Sequence, residues 1–460
     1  MRTKFGTLGF YKKAVWIAVP VMLQQLIQTM VSLIDNFMVA GLGDVKMSGV
    51  NIAGQILFTL MVFMNTICTA GGIYMTQYSG AGDRRGMRQA LMFKSVIAAG
   101  AFVFYILACM VFQRNILSLM VIGNSQAQEI LDVGVEYMYL MGYIGAPMII
   151  STILASSMRE IGRVKVPLVI SVIATLINTF FNWVLIYGNL GAPRLEVRGA
   201  AYATIIARAA EALMFICYVS FVKQPFMPRL SEGIHIDWRL FGQIFRKGYL
   251  VLASEMLWVI SETVTTALYN GRGGADVVSG MASSFAIANL FFVAFSGITT
   301  ATGVIIGKTL GEGNLEEAKR EKTWMLSAAI VFGFVMTVAG MLTTILIPLV
   351  FGNLSEGAQS ICRQMVMMMA LFMPMWVYVN VQFAVSRAGG DTVMGAVVDG
   401  VWTLGLILPG LFVLARYTRI GPVKMYFAVK IVDIPKIMTA HFWLKKERWV
   451  RNLTGGMDTV

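Results

Sequence analysis

Charge is scarce in this chain. Asp, Glu, Lys and Arg make up 13% of its 460 residues, about half the share found in soluble domains. With 57% hydrophobic residues and a mean hydropathy of +0.71, the composition points to a polytopic membrane protein. Histidine is rarer still: His235 and His441 are the two, and neither has neighbours at metal-ligand spacing. There is no HExxH, no GxSxG and no His–acid pair at membrane depth, so the signatures of a membrane-embedded enzyme are missing. The four cysteines, Cys68, Cys109, Cys217 and Cys362, lie in or beside apolar segments without a CxxC pair. They read as small buried apolar side chains and imply no disulfide framework. The Gly-rich turns near Gly80 and Gly311 lack the Lys-Ser/Thr of a phosphate loop, so ATP is not indicated and no cofactor is expected.

What is abundant is apolar length. A span needs about 20 mostly apolar residues, and twelve such runs are present: 14–38, 50–76, 90–112, 134–157, 166–188, 199–221, 246–268, 279–307, 324–350, 363–386, 393–414 and 421–443. The basic start from Arg2 to Lys13 ahead of the first run reads as a retained span, not a cleaved signal. The net charge of +13 is topology and not a nucleic-acid surface. With the N-terminus inside, about 25 of the 37 Lys and Arg fall in inner segments, among them Lys12, Lys13, Arg84, Arg85, Arg159, Arg163, Lys319, Arg320, Lys445 and Lys446. That bias places both termini in the cytoplasm of a cell-membrane protein. The expected division is a six-span bundle over 1–222, a linker over 223–245, a second bundle over 246–443 and a tail over 444–460. The linker carries Pro225, Pro228, Ser231 and Gly233. A partly amphipathic run then follows through Ile234, Ile236, Trp238 and Leu240, suited to the inner membrane surface.

The two halves repeat. Ser79-Gly-Ala-Gly-Asp83 after the second run answers Leu310-Gly-Glu-Gly-Asn314 after the eighth, 231 residues on. Arg159-Glu-Ile-Gly162 answers Arg387-Ala-Gly-Gly390 at an offset of 228. Six spans return the chain to its starting side, so the halves are expected to be related by a pseudo-twofold axis along the membrane normal.

Polar residues inside the runs mark candidate sites. Gln24, Gln28, Ser32 and Asp35 are spaced by four, four and three, one stripe on an apolar helix. A carboxylate at that depth faces a protein interior or a water-filled cavity; the alternative is that Asp35 ends the helix at the headgroup layer. Asn178 and Asn182 share a face of the fifth span, and Thr204 lies at a similar height in the sixth. Asp35, Asn178, Asn182 and Thr204 are hard oxygen donors suited to an alkali cation such as sodium, or to hydrogen-bonding a protonated acid. Interhelical amide hydrogen bonds are the competing reading. In the seventh span Glu255 and Glu262 flank Trp258 on one face, which suits an amphipathic organic cation; the alternative is pairing with a Lys or Arg of a neighbour. The tenth span shows Trp376, Tyr378 and Asn380 with no acid, and Asp399 follows in the eleventh. Arg208 with Glu211, and Lys430 with Asp433, are spaced as local i,i+3 ion pairs. Of the 33 methionines, Met365, Met367, Met368, Met369, Met373 and Met375 crowd the tenth span, as lipid-facing filler or as an adaptable substrate wall.

A family resemblance rests on several of these stretches. They are Gln77-Tyr-Ser-Gly-Ala-Gly-Asp83, and Arg159-Glu-Ile-Gly-Arg-Val-Lys-Val-Pro167 running into Asn178-Thr-Phe-Phe-Asn182. Gly191-Ala-Pro follows, then Arg198-Gly-Ala-Ala-Tyr-Ala-Thr204 and Arg387-Ala-Gly-Gly-Asp-Thr392. With two sets of six spans, the chain resembles the multidrug and toxic compound extrusion (MATE) family over nearly its whole length. The resemblance implies an all-α polytopic fold, twelve helices as two six-helix bundles around a central cavity. It also implies secondary antiport of organic cations or other amphipathic compounds against sodium or protons, by alternating access. The positions of Asp35, Asn178, Asn182 and Thr204 match that family's N-terminal cation site, although some members carry Asp where Asn182 stands. Glu255 resembles an acid of its sodium-coupled branch. Gln24, Gln28, Glu255, Trp258, Glu262, Trp376, Asn380 and Asp399 are the candidate substrate contacts. The expected partners are the lipid bilayer and a small amphipathic molecule, with no nucleic acid and no obligate protein. A lipid-linked saccharide flippase of the wider superfamily is the nearest competitor. It would need several cationic residues for a pyrophosphate, whereas the unpaired charges of these spans read as mostly acidic.

Overall fold

The computed structural model describes residues 5–121, 126–228 and 235–455; Arg2, Ser231, Gly233, Ile234 and the end of the tail lie outside the described residues. Among the described residues there is no strand. The helices are α1 (Leu8–Ala40), α2 (Asp44–Ala81), α3 (Arg84–Ile106), α4 (Gln113–Met120), α5 (Ala127–Gly142), α6 (Gly145–Glu160), α7 (Lys165–Tyr187) and α8 (Glu196–Val222). The second half holds α9 (Trp238–Asn270), α10 (Ala275–Gly311), α11 (Leu315–Thr343), α12 (Ile347–Val350), α13 (Glu356–Ala388), α14 (Val393–Trp402), α15 (Leu408–Tyr417), α16 (Pro422–Lys430) and α17 (Asp433–Lys445). Among the described residues ten stretches are long and apolar enough to cross a membrane, and the bent pair α5–α6 makes an eleventh.

Several of the twelve runs are irregular: the third contains a π turn over Leu107–Val111 and the ninth breaks between α11 and α12. The fourth bends by 53° between α5 and α6. The eleventh passes from α14 to α15 through a π turn over Thr403–Ile407, just ahead of Pro409, which has no N–H to continue the ladder. The twelfth breaks at Ile431 and Val432. Pro435 lies one turn into α17, where its ring would clash with the Ile431 carbonyl of a continuous helix.

The chain divides into two compact units. One holds the described residues of Met1–Met22, Thr76–Gly82 and Phe245–Val460; the other holds Leu23–Met75 and Asp83–Ile244. The first turns of α1 and the last turn of α2 therefore pack with the C-terminal helices, not with their sequence neighbours.

In the N-terminal unit α7 and α8 cross closely at Gly199, where a Cβ would lie 2.5 Å from the Leu185 carbonyl oxygen. Asp83 caps α3 by accepting from the N–H groups of Arg85 and Gly86, and Asp237 caps α9 in the same way. Gln89 of α3 holds the linker, donating to the His235 carbonyl at 2.7 Å and accepting from the Asp237 N–H at 3.0 Å. Trp238 and Leu240, expected in a separate amphipathic run, are instead the first turn of α9.

In the C-terminal unit α13 is flanked by α10 and α11. Gly333 of α11 admits the Pro374 backbone of α13, 2.4 Å from where a Cβ would sit, and Gly280 of α10 does the same for the Ala358 carbonyl. Met365, Met369 and Met373 are buried here, while Met367 is exposed, so this methionine run is largely core. Cys217 is exposed, unlike the other three cysteines. Below these helices the tail folds back as a strap. Trp449 is buried against Gly389. Gln77 donates to the carbonyls of Ala388 (2.8 Å) and Arg451 (3.2 Å) and accepts from the Leu453 N–H (2.7 Å).

The repeat is visible in local geometry. Gly82 and Gly313, 231 apart, both adopt positive φ (+70° and +81°), as do Gly162 and Gly390, 228 apart (+85° and +74°). Each sits just past a helix end, where the left-handed conformation favours glycine.

Candidate functional site

Asp35, Asn178, Asn182 and Thr204 meet in the N-terminal unit. Asn178 and Asn182 are one turn apart on α7, and the close crossing at Gly199 brings α8 near enough for Thr204 to join them. Asn182 Nδ2 donates to Asp35 Oδ1 at 2.6 Å and to Asn178 Oδ1 at 3.2 Å. Asn178 Nδ2 lies 3.5 Å from Thr204 Oγ1, which itself donates to the Ala200 carbonyl. Turning the Asn178 amide over puts its Nδ2 3.0 and 3.2 Å from the two Asp35 oxygens, the orientation in which it donates to the carboxylate instead of facing it with another acceptor. Both asparagines are buried, and Asn182 Oδ1 has no hydrogen-bond partner among the described residues. A buried acceptor left alone is costly; a cation beside Asp35 would complete its shell. Two further residues act electrostatically at the cluster, Arg208 on Asp35 and Asp35 on Tyr137. Arg208 is engaged by Glu211 at 2.8 Å, the local pair expected from the spacing. Among the described residues Asp35 itself has no ion-pair partner.

Lower on the stripe, Gln24 is fixed by donating to Ser171 Oγ at 2.8 Å and accepting from Arg159 Nη1 at 3.3 Å. Gln28 is half-buried between these two layers.

In the C-terminal unit the acids that read as unpaired all have cations. Arg387 Nη2 donates to Glu255 Oε1 at 3.0 Å, Lys430 Nζ lies 3.6 Å from Glu262, and Lys436 pairs with Asp399. The expected Lys430–Asp433 pair gives way to these partners. Asp433 accepts from Trp376 Nε1 at 2.9 Å, and Lys430 rests over the rings of Trp376 and Tyr426, 5.5 Å from each centroid. Asn380 donates to the Trp376 carbonyl. Trp258 is 58% exposed and stands apart from this cluster.

One charged pair was missed in the sequence. Lys94 of α3 is fully buried, its Nζ 2.5 Å from Glu160 Oε2 and 3.3 Å from Ser156 and Ser157 Oγ. Gly71 and Gly72 of α2 leave room for the two side chains. A lysine inside an apolar run, with a carboxylate at the end of another, was the available signal. The partnership of Arg159 with Gln24 recurs as that of Arg387 with Glu255. The arginines are 228 apart and their partners 231 apart, the two offsets of the repeat.

The sequence profile of the MatE family matches residues 20–184 and 251–412, well over half of the chain. The chain belongs to the MatE family. It is 24% identical over 431 residues to a protein of Thermotoga maritima described as probable multidrug resistance protein NorM, covering 92% of this chain and 89% of that one. Among solved structures, a multidrug resistance MATE family transporter of the MOP superfamily in an outward-facing conformation matches with a TM-score of 0.84 at 18% identity, over 95% of both chains. A MOP superfamily transporter from Pyrococcus furiosus matches with a TM-score of 0.82 at 19% identity, again over 95% of both. The expected fold, an all-α membrane protein with the twelve spans of MATE structures, therefore holds for this MatE chain.

Proposed function

We propose that this MatE protein is a secondary multidrug efflux transporter that exports amphipathic compounds, organic cations among them, against an inward flow of sodium ions or protons. The observation that carries the reading is the Asp35 cluster. It combines a carboxylate with no ion-pair partner among the described residues, two buried amides, a hydroxyl, and one orphaned amide oxygen. Sodium would draw on the oxygens of Asp35, Asn178, Asn182 and Thr204 in place of part of its hydration shell, whereas a proton needs Asp35 alone. Export would follow as the protein alternates between states of different affinity for ion and substrate. The coupling ion is cargo, and no other cofactor enters. The protein would sit in the cell membrane with both termini cytoplasmic, its partners being the bilayer and the exported compound.

For the substrate, Glu255 and Glu262 are the acids of interest, and each already holds a cation of the chain. A cationic substrate would replace Arg387 or Lys430 as their partner, with Trp376 and Tyr426 supplying ring faces. The flippase alternative loses its original objection, because the acids are not unpaired. It meets another: Arg387, Lys430 and Lys436 are each engaged by a carboxylate and do not form a positive pocket for pyrophosphate. Uptake of a fluorescent organic cation into proteoliposomes, driven in turn by a sodium and a proton gradient, tests the reading. Gradient-independent uptake in both cases, with normal incorporation, would overturn it.

A further inference from the structure

Away from the Asp35 cluster, the N-terminal unit has a recess of about 310 Å³ between the start of α4, the second half of α5 and the first turns of α8, at the lower limit of small-molecule sites. It is lined by Gln113, Glu136, Tyr139, Arg198 and Tyr202 together with Val135 and Leu140. Arg198 directs Nε at Glu136 Oε1, which leaves the other N–H groups of its guanidinium fork available to an anion. Gln113 Oε1 is buried without a hydrogen-bond partner among the described residues, an acceptor in want of a donor. Tyr139 and Tyr202 are 42% and 41% exposed, and Tyr143 meets Tyr139 edge to face with hydroxyls 3.5 Å apart. Tyrosines of this kind favour the level of the lipid headgroups.

We propose that this recess binds a phosphate-bearing zwitterion with a primary ammonium, the phosphoethanolamine group. The phosphate takes the open side of the Arg198 guanidinium and hydrogen bonds from tyrosine hydroxyls. The ammonium lies between the Glu136 carboxylate and Gln113 Oε1, over a tyrosine ring. A trimethylammonium keeps the charge and the ring contact but has no N–H for Gln113, and an anionic glycerol headgroup offers Gln113 only neutral hydroxyls and brings no cation to Glu136. The chemistry is the same whether the group belongs to a phospholipid or to a soluble metabolite. The inference needs the membrane-spanning fold alone and is independent of coupling and export.

The test titrates delipidated full-length protein in detergent with dioleoyl phosphatidylethanolamine, phosphatidylcholine and phosphatidylglycerol, reading bound lipid by native mass spectrometry. The wild-type protein should retain phosphatidylethanolamine about tenfold more tightly than the other two, the ratio expected for one hydrogen bond to a charged group. Gln113→Met, which leaves the Arg198–Glu136 pair in place, should remove the preference over phosphatidylcholine while phosphatidylcholine binding stays unchanged. Arg198→Gln should weaken all three lipids; if it does not fold, Gln113→Met decides alone. Displacement of the lipid by millimolar O-phosphoethanolamine supports a headgroup site open to either source, and retention of the lipid supports a phospholipid source. Equal binding of the three lipids, or a preference untouched by Gln113→Met, overturns the proposal.

Discussion

Replacing Lys94 by Met removes the ammonium from one of the most deeply buried polar clusters of the protein. Its Nζ bonds Glu160 at 2.5 Å and lies 3.3 Å from two serine hydroxyls, and the side chains of the pair are 0% and 12% exposed. Met fills much of the same volume, so packing against Gly71 should survive. Glu160 would keep Ser156, which donates to its other oxygen, and lose its ion-pair partner. Breaking one side of a buried pair costs about 3–5 kcal/mol. For an unfolding unit of this size that is on the order of 10 °C in midpoint. Glu160→Gln should be destabilising for the converse reason. The double variant Lys94→Met/Glu160→Gln leaves no charge stranded and should fall short of the summed single effects by about 1–3 kcal/mol. Thermal loss of monodispersity, followed by fluorescence-detected size-exclusion chromatography, measures all three variants at matched expression. A Lys94→Met midpoint within about 2 °C of wild type, or strict additivity in the double variant, would refute the argument that this pair braces α3 against α6.

Asp35→Asn should leave folding intact and stop gradient-driven export in vesicles; export at the wild-type rate with wild-type gradient dependence would move coupling to the second half, with Glu255 the first candidate. Asn182→Ala should weaken sodium dependence if sodium is the ligand-bound coupler and change little if protons alone are used, which paired sodium and proton gradients resolve. Glu262→Gln should weaken export of organic cations more than of neutral analogues, and an equal loss for both classes would assign the residue to packing with Lys430. Trp449→Ala should lower stability by about 3–5 kcal/mol, as for other buried aromatic truncations, and Gln77→Leu by less; a midpoint unchanged in both would show that the tail strap is dispensable to the C-terminal unit.

The spans and the repeat were legible because they depend on composition and spacing, which the chain carries locally. The Asp35 cluster was legible for a related reason. Depth follows from counting residues inward from the span ends, and four hard oxygen donors at one height had to be satisfied somewhere. Ion pairing was not legible in this way, because it depends on which helices become neighbours. For Glu255 and Glu262 the spacing left a substrate cation and a neighbouring Lys or Arg as alternatives, since their partners, Arg387 and Lys430, are 132 and 168 residues away. The break between α16 and α17 was hidden by an apolar average that conceals Pro435.

The register of the repeat carries one step further. Adding 231 to Asp35 reaches Thr266, and adding 228 to Asn178 and Asn182 reaches Leu406 and Gly410. The acid and both amides thus have no counterparts in the second half. The same arithmetic carries Gln24 to Glu255 and Arg159 to Arg387, and there the contact is kept while its chemistry changes. A neutral amide receives the first arginine at 3.3 Å and a carboxylate receives the second at 3.0 Å. The halves therefore share a backbone plan and differ in electrostatics. One holds an acid with hydrogen bonds but no ion-pair partner among the described residues, and the other holds acids already neutralised by Arg387, Lys430 and Lys436. A mobile cation gains most where no fixed cation is ion-paired to the carboxylate, which is the physical ground on which we propose coupling at Asp35 and not at Glu255.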